Sequence, residues 1–234
     1  GSNNTALGYS SMFANTTGNY NTGLGYAAGQ SVTTGIQNTL IGGLAGDALT
    51  DADYNVALGY SALTSDTLGS QSVAIGTGAL GQQNFTSATN AYNTAVGLSA
   101  GAAVTTGTAQ VLIGALAGDA ITDADYNVAV GVGALTNDTL GSRTVAIGHQ
   151  ALSAQNFTSA TNSYNTAVGY DAGGVTTTGT HNTFIGGLAA DANTTGYYNV
   201  AVGASALSAN TTAISNTAVG YATLYDNTTG ANNV

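Results

Sequence analysis

Asn182-Thr183-Phe184-Ile185-Gly186 is one copy of a pattern, Asn-(Thr/Val)-Ala-(Leu/Ile/Val)-Gly, that returns thirteen times along the chain. Its closing glycines are Gly8, Gly25, Gly42, Gly59, Gly76, Gly97, Gly114, Gly131, Gly148, Gly169, Gly186, Gly203 and Gly220. Successive glycines follow a step of seventeen, except from Gly76 to Gly97 and from Gly148 to Gly169, where the step is twenty-one. Three ordinary steps and one long step make a larger period, which carries Gly25 onto Gly97 and Gly97 onto Gly169. Nested periods of this kind are the mark of a stacked solenoid whose unit has itself been duplicated. The pattern runs without a linker or a change of composition, so residues 1–234 read as one continuous repeat domain, a segment of a longer fibre.

Within each copy, side chains alternate between two faces, as they do along a strand. The fourth position is aliphatic throughout: Leu7, Leu24, Ile41, Leu58, Ile75, Val96, Ile113, Val130, Ile147, Val168, Ile185, Val202 and Val219. Hydrophobicity alone assigns this column to the buried core. The second position is always Thr or Val, whose β-branching favours a strand over a helix, and the glycine marks a tight corner. Three residues after each glycine a small residue such as Ala28, Ala45 or Ala62 suits a second short strand, and Thr17-Gly18, Thr34-Gly35 and Thr195-Gly196 supply the reversing turn. Where the third position enlarges to Leu40, Leu112 or Phe184, the residue after the glycine shrinks to Gly43, Ala115 or Gly187, a volume exchange that puts these positions in contact, within a coil or between chains. The expected architecture is therefore all-β: a parallel β-roll or β-solenoid of about thirteen 17-residue coils, on the order of 60 Å long at one strand spacing per coil. A coil built chiefly of Ala, Gly and Thr buries little alone, which points to several chains sharing a core, with threefold closure preferred.

Composition excludes several functions. There is no Pro, Cys, Trp, Lys or Glu; the charged side chains are eleven Asp and Arg143, and the net charge is -10. Phosphate binding needs Lys and Arg to displace counterions, so nucleic acid is not an expected partner. No run of eighteen apolar residues exists, and this segment is not expected to insert into a membrane. His149 and His181 are the only histidines and occupy variable repeat positions, which leaves general acid–base catalysis without paired groups and argues against an enzyme.

Other residues are candidates for contact. Asp47, Asp51 and Asp53 recur as Asp119, Asp123 and Asp125, oxygen clusters of the kind calcium takes, although a solvated turn is the simpler account of them. Otherwise no cofactor is expected. The longer steps carry Asn84-Phe85-Thr86 and its copy Asn156-Phe157-Thr158, loops expected to bulge outward; an exposed phenylalanine there would present a contact surface, and a ring tucked back onto the roll is the equal alternative. Tyrosines recur before the motif asparagine (Tyr20, Tyr54, Tyr92, Tyr126, Tyr164, Tyr198) and after the glycine (Tyr9, Tyr26, Tyr60, Tyr170, Tyr221), as aromatic ladders or as platforms for sugar rings.

Asn21-Thr22-Gly23-Leu24-Gly25-Tyr26, Ser72-Val73-Ala74-Ile75-Gly76 and Asn182-Thr183-Phe184-Ile185-Gly186 resemble the repeats of trimeric autotransporter adhesin heads and of viral tail-fibre proteins; Asn15-Thr16-Thr17-Gly18 and Asn227-Thr228-Thr229-Gly230 are closer to the tail-fibre type. The resemblance covers nearly the whole chain and implies a left-handed parallel β-roll, a homotrimer, and an extracellular place on a cell or virion surface. It implies adhesion or host attachment through a glycan or protein receptor. The alternative is a passive filament or spacer that assembles end to end. Ice binding through Thr5, Thr22 and Thr39 is a third possibility, opposed by the aliphatic partners that would turn those threonines inward and by Val in six of the thirteen copies.

Overall fold

The computed structural model describes all residues, Gly1–Val234, and contains no helix. The chain divides into two compact units, Gly1–Ala115 and Leu116–Val234. In the first, the strands Thr5–Leu7, Thr22–Leu24, Thr39–Ile41, Val56–Leu58, Val73–Ile75, Thr94–Val96 and Val111–Ile113 lie parallel in chain order. In the second, Val128–Val130, Val145–Ile147, Thr166–Val168, Thr183–Ile185, Val200–Val202 and Thr217–Val219 do the same. Within each unit, successive strands pair in register with the copy one coil on, Thr22 opposite Thr39 and Phe184 opposite Ala201. The result is a parallel β-solenoid of about thirteen turns, most of them seventeen residues long. The longer coils add a second pair of short parallel strands, Gly69–Ser70 with Thr89–Asn90 and Gly141–Ser142 with Thr161–Asn162.

The facing of the strands is the reverse of the hydrophobic expectation. The third position points inward: Ala57, Ala74, Ala95, Ala129, Ala146, Ala167 and Ala201 are fully buried, and so are Leu40, Leu112 and Phe184. The fourth position points out. Leu7, Leu24, Leu58, Ile113, Ile147, Ile185 and Val219 are exposed, and Ile41, Ile75, Val96, Val130, Val168 and Val202 are half-buried. Alternation fixes which residues share a face but not which face is inside. So short a turn encloses too narrow a section to hold a branched side chain at every coil on this side, so the small residue enters and the aliphatic one leaves.

The interior follows a volume rule within each coil. Where the residue four after the corner glycine is Leu, as at Leu63, Leu80, Leu135, Leu152 and Leu207, the residue seven after it is polar: Asp66, Gln83, Asp138, Gln155 and Asn210. Where it is Gly29, Gly46, Gly101 or Gly118, the partner is Val32, Leu49, Val104 or Ile121. Gly29, Gly46, Gly101 and Gly173 make room for an enlarged third position, Gly46 in its own coil and the others in the coil that follows. A Cβ on Gly46 would lie 2.7 Å from Leu40 Cδ2, one on Gly101 2.6 Å from Leu112 Cδ1, and one on Gly173 2.6 Å from Phe184 Cδ2. Leu40 thus fills the space left by Gly29 and Gly46, and not that of Gly43, whose nearest side chain is the Tyr60 ring at 3.4 Å. Gly187 has nothing within 4 Å of its Cβ position. Facing explains the difference, because the third position lies inside and the residue after the glycine outside.

The alanine row forms no second strand. Ala28, Ala45 and Ala62 are buried, and the backbone beside them is left-handed, as at Ala27 with φ 54° and Gly29 with φ 59°. The chain therefore steps between coils through alternate amides, with Met12 N–H donating to Ala28 O, Gly29 N–H to Ala45 O and Gly46 N–H to Ala62 O. A hydroxyl row flanks it. Thr16, Thr33, Thr50 and Thr177 each donate Oγ1–H to a carbonyl of the next coil at 3.1 to 3.2 Å, and Thr194 does so at 2.9 Å. Replacing Thr194 by Val removes one half-buried bond of this row and keeps the shape, so a loss of about 1 kcal/mol is expected in chemical denaturation.

Candidate functional site

The surface with the most regular chemistry is the outer sheet face, which carries two columns per unit. One is Thr or Val at the second motif position, half-buried throughout except at exposed Thr5; the other is the aliphatic fourth position. With strands about 4.8 Å apart, neighbouring methyl groups form a continuous apolar stripe along each unit. No charged side chain lies in either column.

Behind this face runs a row of buried amides. Asn21, Asn38, Asn55, Asn182, Asn199 and Asn216 are at most 1% exposed. Each Oδ1 accepts the backbone N–H of the equivalent residue one coil on, as from Asn38 to Asn21 and from Asn199 to Asn182, both at 2.9 Å. Each Nδ2 of Asn21, Asn38, Asn182 and Asn199 donates to a carbonyl on the next coil, as from Asn182 to Gly196 at 2.8 Å. The motif asparagine therefore satisfies backbone groups that the narrow coil would otherwise strand without water. Asn182→Ala leaves the Asn199 N–H without its acceptor and the Gly196 carbonyl with only the 3.2 Å bond from Asn193 Nδ2, an expected cost of about 1–3 kcal/mol in urea unfolding of the second unit.

In the long steps, Phe85 and Phe157 are tucked inward at 5% and 6% exposure, which corrects their assignment as contact residues. Phe85 Cδ2 lies 2.7 Å from where a Cβ on Gly69 would sit, and Phe157 stands in the same relation to Gly141, so each ring occupies the space a glycine leaves. Asn84, Thr86, Asn156 and Thr158 are exposed at the loop surface. Under the loops are two buried carboxylates that sequence periodicity does not single out. Asp66 and Asp138 are fully buried; Asp138 Oδ1 accepts from the Gly141 and Phe157 amides at 3.1 and 3.0 Å, and its Oδ2 accepts from Gln155 Nε2 at 2.6 Å. Asp66 is held in the same way by Gly69, Phe85 and Gln83.

The other acids do not converge. Asp47 accepts from Thr64 Oγ1 at 2.6 Å on the following coil, whereas Asp51 and Asp53 accept from Thr34 Oγ1 and from the Ile36 amide on the preceding one. Asp119 accepts from Thr136 Oγ1. The structure brings no three acids or imidazoles together. The carboxylates grouped by spacing are thus divided between neighbouring coils instead of forming one oxygen cage.

The tyrosine columns are exposed and only partly self-stacked. Tyr9 and Tyr26 stack at 5.6 Å, and His149 stacks on Tyr170 at the same distance. Tyr164, His181 and Tyr198 form a tilted series with centroids 5.1 and 4.9 Å apart, and the Arg143 guanidinium lies 5.0 Å over the Tyr126 ring. The only basic side chain and both imidazoles thus lie against tyrosine rings. No protein-family model, curated protein or solved structure matches the chain.

Proposed function

We propose that the chain is a non-enzymatic fibre segment that self-associates through its outer sheet face and presents its loops and aromatic columns for attachment at a cell or virion surface. The observation that carries this reading is the outward aliphatic column, with Ile185 40% and Leu58 42% exposed on a face free of charge. A contiguous exposed apolar patch of this kind marks an association surface, and three such faces closing around an axis hide it. The narrow single-chain interior supplies the motive, since it leaves the larger aliphatic groups uncovered. The long-step loops, with Asn84, Thr86, Asn156 and Thr158 exposed, remain available to a glycan or protein receptor.

Light scattering of the purified protein at several concentrations is expected to give three chains. Ile185→Asp combined with Ile75→Asp introduces charge on the face of each unit, and is expected to yield monomers that keep the β-sheet circular dichroism; a wild-type monomer sinks the proposal. Loop substitutions at Asn84 and Asn156 that leave assembly intact separate attachment from passive reach. One observation favours a second function: Thr22 and Thr39 lie on the outer face, not inside it as hydrophobicity places them. Ice binding through that face predicts thermal hysteresis from the monomeric form, and assembly through it predicts none.

A further inference from the structure

The motif asparagine is replaced by a hydroxyl residue in only two coils, at Ser72 and Thr144; every other coil carries Asn or Gln there. Those same two coils are the only ones with Gln seven residues after the corner glycine, Gln83 and Gln155, and the coils before them are the only ones with Asp in that place, Asp66 and Asp138. The two copies differ between Ser and Thr but keep the hydroxyl.

In the second unit these groups form one dry cluster. Thr144, Gln155, Asp138, Ser163 and Asn165 are at most 1% exposed. Gln155 Nε2 lies 3.0 Å from Thr144 Oγ1 and 2.6 Å from Asp138 Oδ2. Gln155 Oε1 accepts from Asn165 Nδ2 at 2.8 Å, and Thr144 Oγ1 is 2.6 Å from Ser163 Oγ. A nucleophile, an amide, an acid–base group and a donor on the amide oxygen thus meet where water does not reach, the combination acyl transfer requires.

We propose that Thr144 and Gln155 form an intramolecular ester cross-link, with the Ser72 and Gln83 pair as its counterpart in the first unit. Rotation of the Thr144 side chain carries Oγ1 from the edge of the Gln155 amide to above its plane, facing Cδ, and leaves the Asp138 and Asn165 contacts to the amide in place. Thr144 Oγ1 then bonds to Gln155 Cδ, and the negative charge developing on Oε1 is held by Asn165 Nδ2. The hydroxyl proton passes directly to Nε2, its neighbour at 3.0 Å, which Asp138 Oδ2 holds in place at 2.6 Å. The Cδ–Nε2 bond breaks and ammonia leaves, so that hydroxyl plus primary amide become ester plus ammonia with no other reactant. Asp138 is the catalytic residue because its carboxylate touches the leaving nitrogen. The surrounding dry interior protects the product from hydrolysis. In the first unit Asp66 Oδ2 is 2.6 Å and Ser72 Oγ 3.0 Å from Gln83 Nε2, and Asn93 Nδ2 is 2.8 Å from Gln83 Oε1; Ala91 stands where Ser163 does in the second.

The test is the intact mass of the full chain after denaturation, followed by cleavage after Arg143, its only tryptic site. The expected chain is two ammonia molecules lighter than its sequence, with one deficit in each fragment. Thr144→Val and Asp138→Asn should restore the C-terminal fragment to full mass while leaving the other deficit in place, and Thr144→Ser should retain both. Circular dichroism shows whether each variant has folded, and the wild-type mass decides the matter even where a variant has not. A wild-type chain at full mass overturns the proposal, as does a C-terminal deficit that survives Thr144→Val.

Discussion

Gly186→Ala is expected to destabilise the second unit by more than about 3 kcal/mol, because the residue sits at φ +134°, a region open essentially to glycine alone. Space is as restrictive as torsion. A Cβ on Gly186 would lie 2.5 Å from the Gly203 carbonyl oxygen and 2.6 Å from its carbon. That backbone cannot retreat, since the Gly203 amide already donates to Ile185 O at 2.7 Å and the Gly186 amide to Val168 O at 2.8 Å. In a solenoid such a fault damages the contacts with both neighbouring coils. A fall in melting temperature on the order of 10 °C or more is expected by calorimetry. The adjacent Gly187→Ala is the control: its φ is not positive and its Cβ position is open, so its melting temperature should match the wild type. Equal effects from the two substitutions would refute the account of the corner.

Phe184→Ala is expected to cost about 3–5 kcal/mol, the range for removing a fully buried aromatic side chain. The interior volume rule supplies a rescue. In the following coil a third-position Ala201 is accompanied by Leu207, whereas the Phe184 coil carries Ala190 at the corresponding place. Ala190→Leu in the Phe184→Ala background should therefore fill part of the void and recover roughly half of the loss. Both are measured by urea unfolding with the denaturant slope checked for constancy. A double variant no more stable than Phe184→Ala would show that the two positions do not share volume.

Period and fold are legible because one coil is a translated copy of the last: strand, corner and step all follow from residues such as Thr183, Ile185 and Gly186 recurring in register. The sign of the faces is not. Hydrophobicity marks Ile185 as a residue that should be covered, but it does not say whether its own coil or something outside covers it. For the same reason the volume exchange matches Leu40 to Gly43 across the chain's own wall, when the space Leu40 uses belongs to Gly29 and Gly46. Phe85 reads equally as exposed or tucked back because it sits in an insertion; the deciding signal is Gly69, well before it in the chain, beside whose absent side chain the ring packs. The buried Asp66 and Asp138 are hidden by chemistry, since an acid in an acidic chain looks like solvent-facing charge until the amides that hold it are seen. Calcium follows from acids close in sequence, but Asp47 turns to the coil ahead and Asp53 to the coil behind.

The volume rule has a genetic corollary. Coils of the Gly-with-aliphatic type come in pairs, Gly29 with Gly46 and Gly101 with Gly118, followed by pairs of the Leu-with-polar type, Leu63 with Leu80 and Leu135 with Leu152. A crossover between misaligned gene copies that slips by one coil would set two unlike interiors against each other, because the side chains of this core are shared with the turns above and below. A slip by the whole larger period, Gly25 onto Gly97, restores each coil to the neighbours it already fits. Insertion or removal of one four-coil block therefore keeps like interiors in contact, which a shift of a single coil does not.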